Sequence, residues 1–263
     1  ALAAFYEKIK VGHVEAGLRT GNLLSPWPEE GNRKLVTQIT AHHFSPTQTN
    51  KDALVAEGVL PENIIITGNT VIDAMLSVVK KIDYTPGLEI QIRDELSSHL
   101  KGHILDSKFI LMTGHRRESF GTGIRTICDA LASIAQSHPD INIIYPVHLN
   151  PNIKKPVYDA LTPYPNIWLL PPLDYPSFVY LMRKSWFILT DSGGVQEEAP
   201  SLGKPVLILR DTTERSEAIE AGTAKLVGSD KVLIIEAVDS LISNPELYTQ
   251  MAESQNPFGE GDA

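Results

Sequence analysis

From residue 108 onward, short apolar runs alternate with stretches in which apolar positions recur every three or four residues. The runs at 109–113, 141–147, 167–170, 186–190, 206–209 and 225–227 read as strands. Several are apolar throughout, as expected where helices cover both faces of a sheet. Helical periodicity fills the intervals at 124–136, 151–161, 176–183, 195–202 and 216–221, and again at 231–242. Repeated strand–helix–strand units predict a parallel sheet with right-handed crossovers. This part reads as one complete doubly wound α/β domain.

The pattern before residue 108 is sparser. It predicts strands at 10–14, 42–45 and 64–67 and helices at 33–40, 50–57 and 71–82. Three strands make a poor independent doubly wound sheet, and the sequence opens inside a helical pattern. The expectation is therefore the back half of a second Rossmann-like domain, with its front half absent. Residues 83–106 contain Pro86, Gly87, Gly102 and many charges, the composition of a connection. The expected division is 1–82, an interdomain region at 83–107, and a nucleotide-binding domain at 108–263.

Charge narrows the partners. The 263 residues include 23 Lys and Arg against 32 Asp and Glu, a formal net charge of −9. Such a surface repels nucleic acid and anionic lipid, so an anionic substrate requires a local cluster of arginines and backbone N–H groups. The single cysteine, Cys128, lies in an amphipathic stretch and is expected to be a buried apolar thiol. With no run of 18 apolar residues and no basic, apolar leader at the start, a cytoplasmic protein is expected.

Three segments carry candidate chemistry. Residues 190–200, TDSGGVQEEAP, follow a strand and open a helix at the end of the sheet where ligands bind. Gly193 and Gly194 permit close backbone approach, and a carboxylate just inside the turn is placed to accept ribose hydroxyls. Glu197 and Glu198 also simply favour the helix dipole. Residues 113–123, TGHRRESFGTG, concentrate His115, Arg116 and Arg117 after another strand and lack the third glycine of a dinucleotide fingerprint. HVEAGLRTG and SPWPEEGNR place Glu15, Arg19, Glu29 and Arg33 around a strand end and a stiff Pro–Trp–Pro loop. Glu15 and Glu29 suit an acid/base pair, although Glu29 and Glu30 equally suit the opening of a helix. His42, His43, His99 and His103 lack carboxylates at ligand spacing, so no metal site is expected.

These segments, with TGNTVID, YPVHLNP, LGKPVLILRDTTER and EAGTAKLVG, resemble the non-hydrolysing UDP-N-acetylglucosamine 2-epimerases, in order and nearly from end to end. The resemblance implies two Rossmann-like domains of glycosyltransferase-B type with the active site between them. It further implies a homodimer making surface-polysaccharide precursors without metal or nicotinamide. By the same resemblance, His115, Ser192, Gly193, Gly194, Glu198 and Arg215 bind UDP and Phe178 lies beside the uracil. Glu15, Glu29 and His115 are catalytic, and Arg116 and His148 match a second, allosteric nucleotide-sugar site. The family's amino-terminal Gly-rich loop, its Gly-Asp-Thr motif with a catalytic Asp, and its terminal helix have no counterpart, and Ser216 replaces a usual Pro. The expectation is a fragment that binds UDP but does not turn over. A hydrolysing epimerase, a glycosyltransferase of the same fold and a non-catalytic sugar-nucleotide-binding protein are the alternatives.

Overall fold

A computed structural model describes every residue except Gly102 and residues 115–121. The described strands form two parallel sheets. In the first, β1 (Gly12–Val14), β2 (His42–Ser45) and β3 (Ile64–Ile66) pair in chain order. The second contains β4 (Phe109–Thr113), β5 (Asn142–Pro146), β6 (Ile167–Leu170), β7 (Phe187–Thr190), β8 (Val206–Ile208) and β9 (Ala224–Leu226). Its order is β6-β5-β4-β7-β8-β9, parallel throughout. The chain builds outward from β4 in one direction and returns to β4's other side with β7. Open α/β sheets bind ligands at the carboxyl ends of strands at such a reversal.

Side-chain alternation divides the second sheet's core in two. Ile110, Met112, Tyr145, Phe187 and Leu207 pack on one face against α6 (Thr122–Ser137), α7 (Pro151–Leu161), α11 (Lys231–Ser243) and α12 (Pro245–Glu253). Cys128 is buried in this layer, where burial pushes its thiol up to about 12.

Phe109, Leu111, Ile144, Ile188 and Val206 face the opposite layer. There, α8 (Tyr175–Lys184), α9 (Gly193–Glu198) and α10 (Ser216–Glu220) are joined by two helices from earlier in the chain. These are α4 (Thr70–Tyr84), through Ile72, Met75 and Ile82, and α5 (Leu88–Ser97), through Ile92 and Leu96. The segment 83–107 thus contributes apolar side chains to the second sheet's core.

The helices of the first sheet's part are α1 (Leu2–Tyr6), α2 (Glu29–Thr37) and α3 (Gln48–Ala56), and Leu54 of α3 joins Ala16 and Ile64, with Val59, in a small cluster. Val14 and Ile65 remain 51% exposed and Leu35 70% exposed. A buried seam ties the sheets together. The hydroxyl of Thr47, the N-cap of α3, donates to Glu217 on α10 at 2.5 Å, and the Asn69 backbone N–H donates to the Phe258 carbonyl at 2.8 Å.

The predicted strands all form, each to within two residues at either end. The differences lie in the helices. α2 starts four residues before the expected 33, with Glu29 and Glu30 in its first turn. α9 is short because the chain tightens into a 3-10 turn at Ala199–Leu202, which ends at Gly203 in the left-handed region. α5 and α12 were not expected. The charges of α5 hide its Leu88–Ile92–Leu96 stripe, whereas Asn244 and Pro245 at the start of α12 are a recognisable cap and first-turn proline.

Candidate active site

The site lies at the carboxyl ends of β4 and β7, where the Asp191 N–H donates to the Thr113 carbonyl at 3.2 Å. Beyond β7, the Thr190 hydroxyl accepts the Ser192 N–H at 2.9 Å, and the Ser192 carbonyl accepts the Gln196 amide at 3.1 Å. Gln196 in turn accepts the Thr213 hydroxyl at 2.7 Å, and that hydroxyl accepts the Arg215 N–H at 3.2 Å. The turn before α9 is thereby braced to the loop that carries Arg215. Gly193 makes the arrangement possible, since a Cβ there would stand 2.6 Å from the Arg215 guanidinium. Its first use is to admit a buried arginine.

Arg215 is 6% exposed. Its Nε donates to Glu197, and its Nη1 donates to Glu214 at 2.5 Å. Burial opposes its charge, but Glu197, Glu214 and Glu15 more than compensate and raise its pKa. Glu214 also meets Arg210 at 2.9 Å and Arg33 at 3.8 Å. Three guanidiniums therefore converge on one buried carboxylate, with Glu197 and Glu30 also paired to Arg215 and Arg33. Arg33 comes from α2 and the first sheet, so the cluster spans both sheets. Its pKa is lowered by burial, with Glu214 opposing the shift and Arg215 adding to it.

Consecutive glutamates on α9 point to different neighbours. Glu198 accepts the Tyr175 hydroxyl, and burial raises its pKa. Glu197 is fully buried between Arg215 and Asn69 and is pushed up to about 7, first by burial and further by Glu15, while Arg215 and Asn69 oppose the shift.

Glu15 follows β1 with φ 62°, an uncommon backbone region for a residue other than glycine and a frequent feature of functional sites. The next bend needs Gly17 (φ 94°), where a Cβ would fall 2.1 Å from the Asn50 carbonyl. The Asn69 amide donates to Glu15 Oε1 at 2.9 Å and also to Glu197. The structure thus links Glu15, Glu197 and Arg215, residues far apart in the chain, through Asn69.

Other sequence candidates are placed differently. Glu29 is exposed in the first turn of α2, whereas its neighbour Glu30 is fully buried and accepts the N–H groups of Thr20 and Gly21 at 3.2 and 3.1 Å. Arg19 forks onto Glu57 at 2.9 and 2.8 Å and packs α2 against α3. Phe178 is half-buried against the second sheet's core, and exposed His148 accepts the Asn150 N–H at 3.1 Å through Nδ1. His115 and Arg116 lie outside the described residues. Among the described residues, no three His, Cys, Asp or Glu side chains are grouped to hold a metal ion, and no helix is long and apolar enough to cross a membrane.

The profile of the family described as UDP-N-acetylglucosamine 2-epimerase matches residues 1–263. The chain belongs to this family. It is 54% identical over 263 residues to the UDP-N-acetylglucosamine 2-epimerase of Escherichia coli strain K12, covering 100% of this chain and 69% of that protein. It is 53% identical over 264 residues to the Campylobacter jejuni protein of that name, covering 100% of this chain and 68% of the relative.

Among solved structures, the Neisseria meningitidis UDP-GlcNAc 2-epimerase bound to UDP-GlcNAc superposes with a TM-score of 0.94 at 50% identity. That match covers 99% of this chain and 69% of the other. The Methanocaldococcus jannaschii UDP-GlcNAc 2-epimerase, in complex with UDP-GlcNAc and UDP, gives 0.84 at 34% identity, covering 99% and 68%. The two parallel sheets are those of this glycosyltransferase-B-type fold. Sequence reasoning assigned no site role to Asn69, Tyr175, Arg210 or Glu214, although TGNTVID and LILRDTTER already lay among the segments that carried the resemblance.

Proposed function

We propose that the site interconverts UDP-N-acetylglucosamine and UDP-N-acetylmannosamine at C2 without hydrolysis. The observation that carries the reading is the meeting, in one seam, of the Arg33–Arg210–Arg215 cluster with Glu15. The cluster suits a diphosphate, and a carboxylate beside it suits proton transfer at the attached sugar. The UDP-GlcNAc and UDP complexes of the relatives named above support the same class of ligand.

No carbonyl acidifies the C2 hydrogen, so the reaction proceeds by anti elimination. A base removes the C2 proton while the C1–O bond breaks with its electron pair going to the departing UDP. A C1–C2 double bond remains, giving 2-acetamidoglucal. Re-addition of UDP at C1 with proton delivery to the other face of C2 completes the exchange. Preorganised donors stabilise the charge on the leaving diphosphate. Arg215, the Ser192–Gly193–Gly194 turn and His115 fill that role, while Glu198 takes the ribose and Phe178 flanks the base. Glu15 and Glu29 move the protons, with His115 assisting.

The chemistry needs no metal or nicotinamide. The product fits surface-polysaccharide precursor synthesis in the cytoplasm by a homodimeric enzyme, with Arg116 and His148 at a second nucleotide-sugar site. Chromatography of the products that a version extended to the relatives' length makes from UDP-N-acetylglucosamine tests the reading. UDP-N-acetylmannosamine is expected. Free N-acetylmannosamine would replace it with hydrolytic epimerisation, acceptor-dependent sugar transfer would make the protein a transferase, and binding without products would leave a sugar-nucleotide-binding protein.

A further inference from the structure

Asn69 is 2% exposed and fixed from every side. Its Oδ1 caps α4 by accepting the Val71 N–H at 3.2 Å, and its backbone N–H donates to Phe258. Its side-chain nitrogen serves two carboxylates, Glu15 from the first sheet at 2.9 Å and Glu197 from α9. Turning the amide over would break the cap and set an oxygen against both carboxylates. Glu197 is equally constrained, with one oxygen on the Arg215 Nε and the other on Asn69. Glu15 and Glu197 repel one another, and the shared amide is the donor between them.

We propose that Asn69 and Glu197 are positioning residues that hold the Glu15 carboxylate at the seam and tie it to the Arg215 guanidinium. The proposal rests on the reading of Glu15 as a proton-transfer group and Arg215 as the diphosphate anchor. A line of four side chains, Arg215–Glu197–Asn69–Glu15, then fixes the distance between leaving group and base. Its Glu15 end is held by both the backbone at φ 62° and the amide. Neither Asn69 nor Glu197 exchanges a proton with substrate. Their effect is on geometry, and misplacement of a reacting group by about 1 Å costs on the order of 10²-fold in rate.

Three variants test this. Asn69→Ser keeps an N-capping oxygen for α4 but removes both amide donors. Glu197→Gln keeps the acceptor for Arg215 and turns an NH2 group toward the NH2 of Asn69. The double variant Asn69→Asp with Glu197→Gln restores a donor–acceptor match between 69 and 197 but faces Glu15 with a carboxylate.

Each variant, made in a version extended to the relatives' length, is followed by C2 deuterium uptake from deuterated water, UDP calorimetry and thermal melting. All three are expected to lose on the order of 10²-fold in turnover. Asn69→Ser should bind UDP nearly as well as the parent, and the double variant should regain the melting temperature lost by Glu197→Gln without regaining turnover. Recovery of both in the double variant, or parental turnover in Asn69→Ser, would overturn the proposal, because a purely structural pair behaves that way. Should the parent itself bind UDP and label no C2, the epimerase reading fails and crystal structures decide the positioning claim. A Glu15 carboxylate displaced in Asn69→Ser upholds it, and an unmoved one refutes it.

Discussion

At the scale of single residues, the groups proposed to anchor the diphosphate and those proposed to move a proton should fail differently. In a version extended to the relatives' length, Glu15→Gln and Glu29→Gln are expected to lower turnover by roughly 10²–10⁴-fold while UDP affinity stays close to the parent value. Calorimetry beside a turnover assay measures both. Retained turnover in either variant would reduce that residue to a structural carboxylate. Gly193→Ala should do the opposite. Its Cβ would fall 2.6 Å from the Arg215 guanidinium, so the arginine must move and UDP binding should weaken severalfold at least. Unchanged affinity would mean that the guanidinium position is irrelevant to the nucleotide. Spacing alone could not separate Glu197 from Glu198, because neighbours on a helix point about 100° apart. It likewise could not show that Glu30, rather than Glu29, is the buried member of its pair. Glu197 and Glu198 meet Arg215 and Tyr175, 18 and 23 positions away, and Glu30 meets backbone N–H groups of the preceding loop.

At the scale of elements, the second sheet's strands were legible as short apolar runs between helical stretches, and in the structure Phe109 and Leu111 face the layer opposite to Ile110 and Met112. The helices were less so. α5 spreads its few apolar residues among charges, and its burial comes from the second sheet's core rather than from its own pattern. The placement of α9 has a consequence for pH. Native Glu197 keeps its proton up to about pH 7, whereas an ordinary glutamic acid releases it near 4.5. Between these values the native state holds more protons than the unfolded chain. The stability linked to this group is therefore complete below pH 4.5 and declines as pH rises through about 7. Urea unfolding across that window should show stability falling with pH in the parent and a flatter profile in Glu197→Gln. Parallel profiles would contradict the placement of the carboxylate.

For the whole molecule, α4 and α5 precede the second sheet in sequence yet complete one face of its core. A chain reduced to residues 108–242 would uncover Val179, Leu181 and Ile188, which Ile72, Met75, Ile92 and Phe258 help to enclose. It should melt well below a chain of residues 70–263 and tend to associate through the bared face. Equal melting temperatures would show that the second sheet does not depend on these helices. The same packing seats Asn69 between the sheets, where one seam carries both the proposed diphosphate anchor and the proposed proton-transfer carboxylate. Incubation of a version extended to its relatives' length with UDP-N-acetylglucosamine in deuterated water, read by NMR at C2, tests this arrangement. One deuterium at C2 of the UDP-N-acetylmannosamine product is predicted, with the label lost in Glu15→Gln and in Arg215→Ala. Product without deuterium, or full labelling in Glu15→Gln, would contradict it.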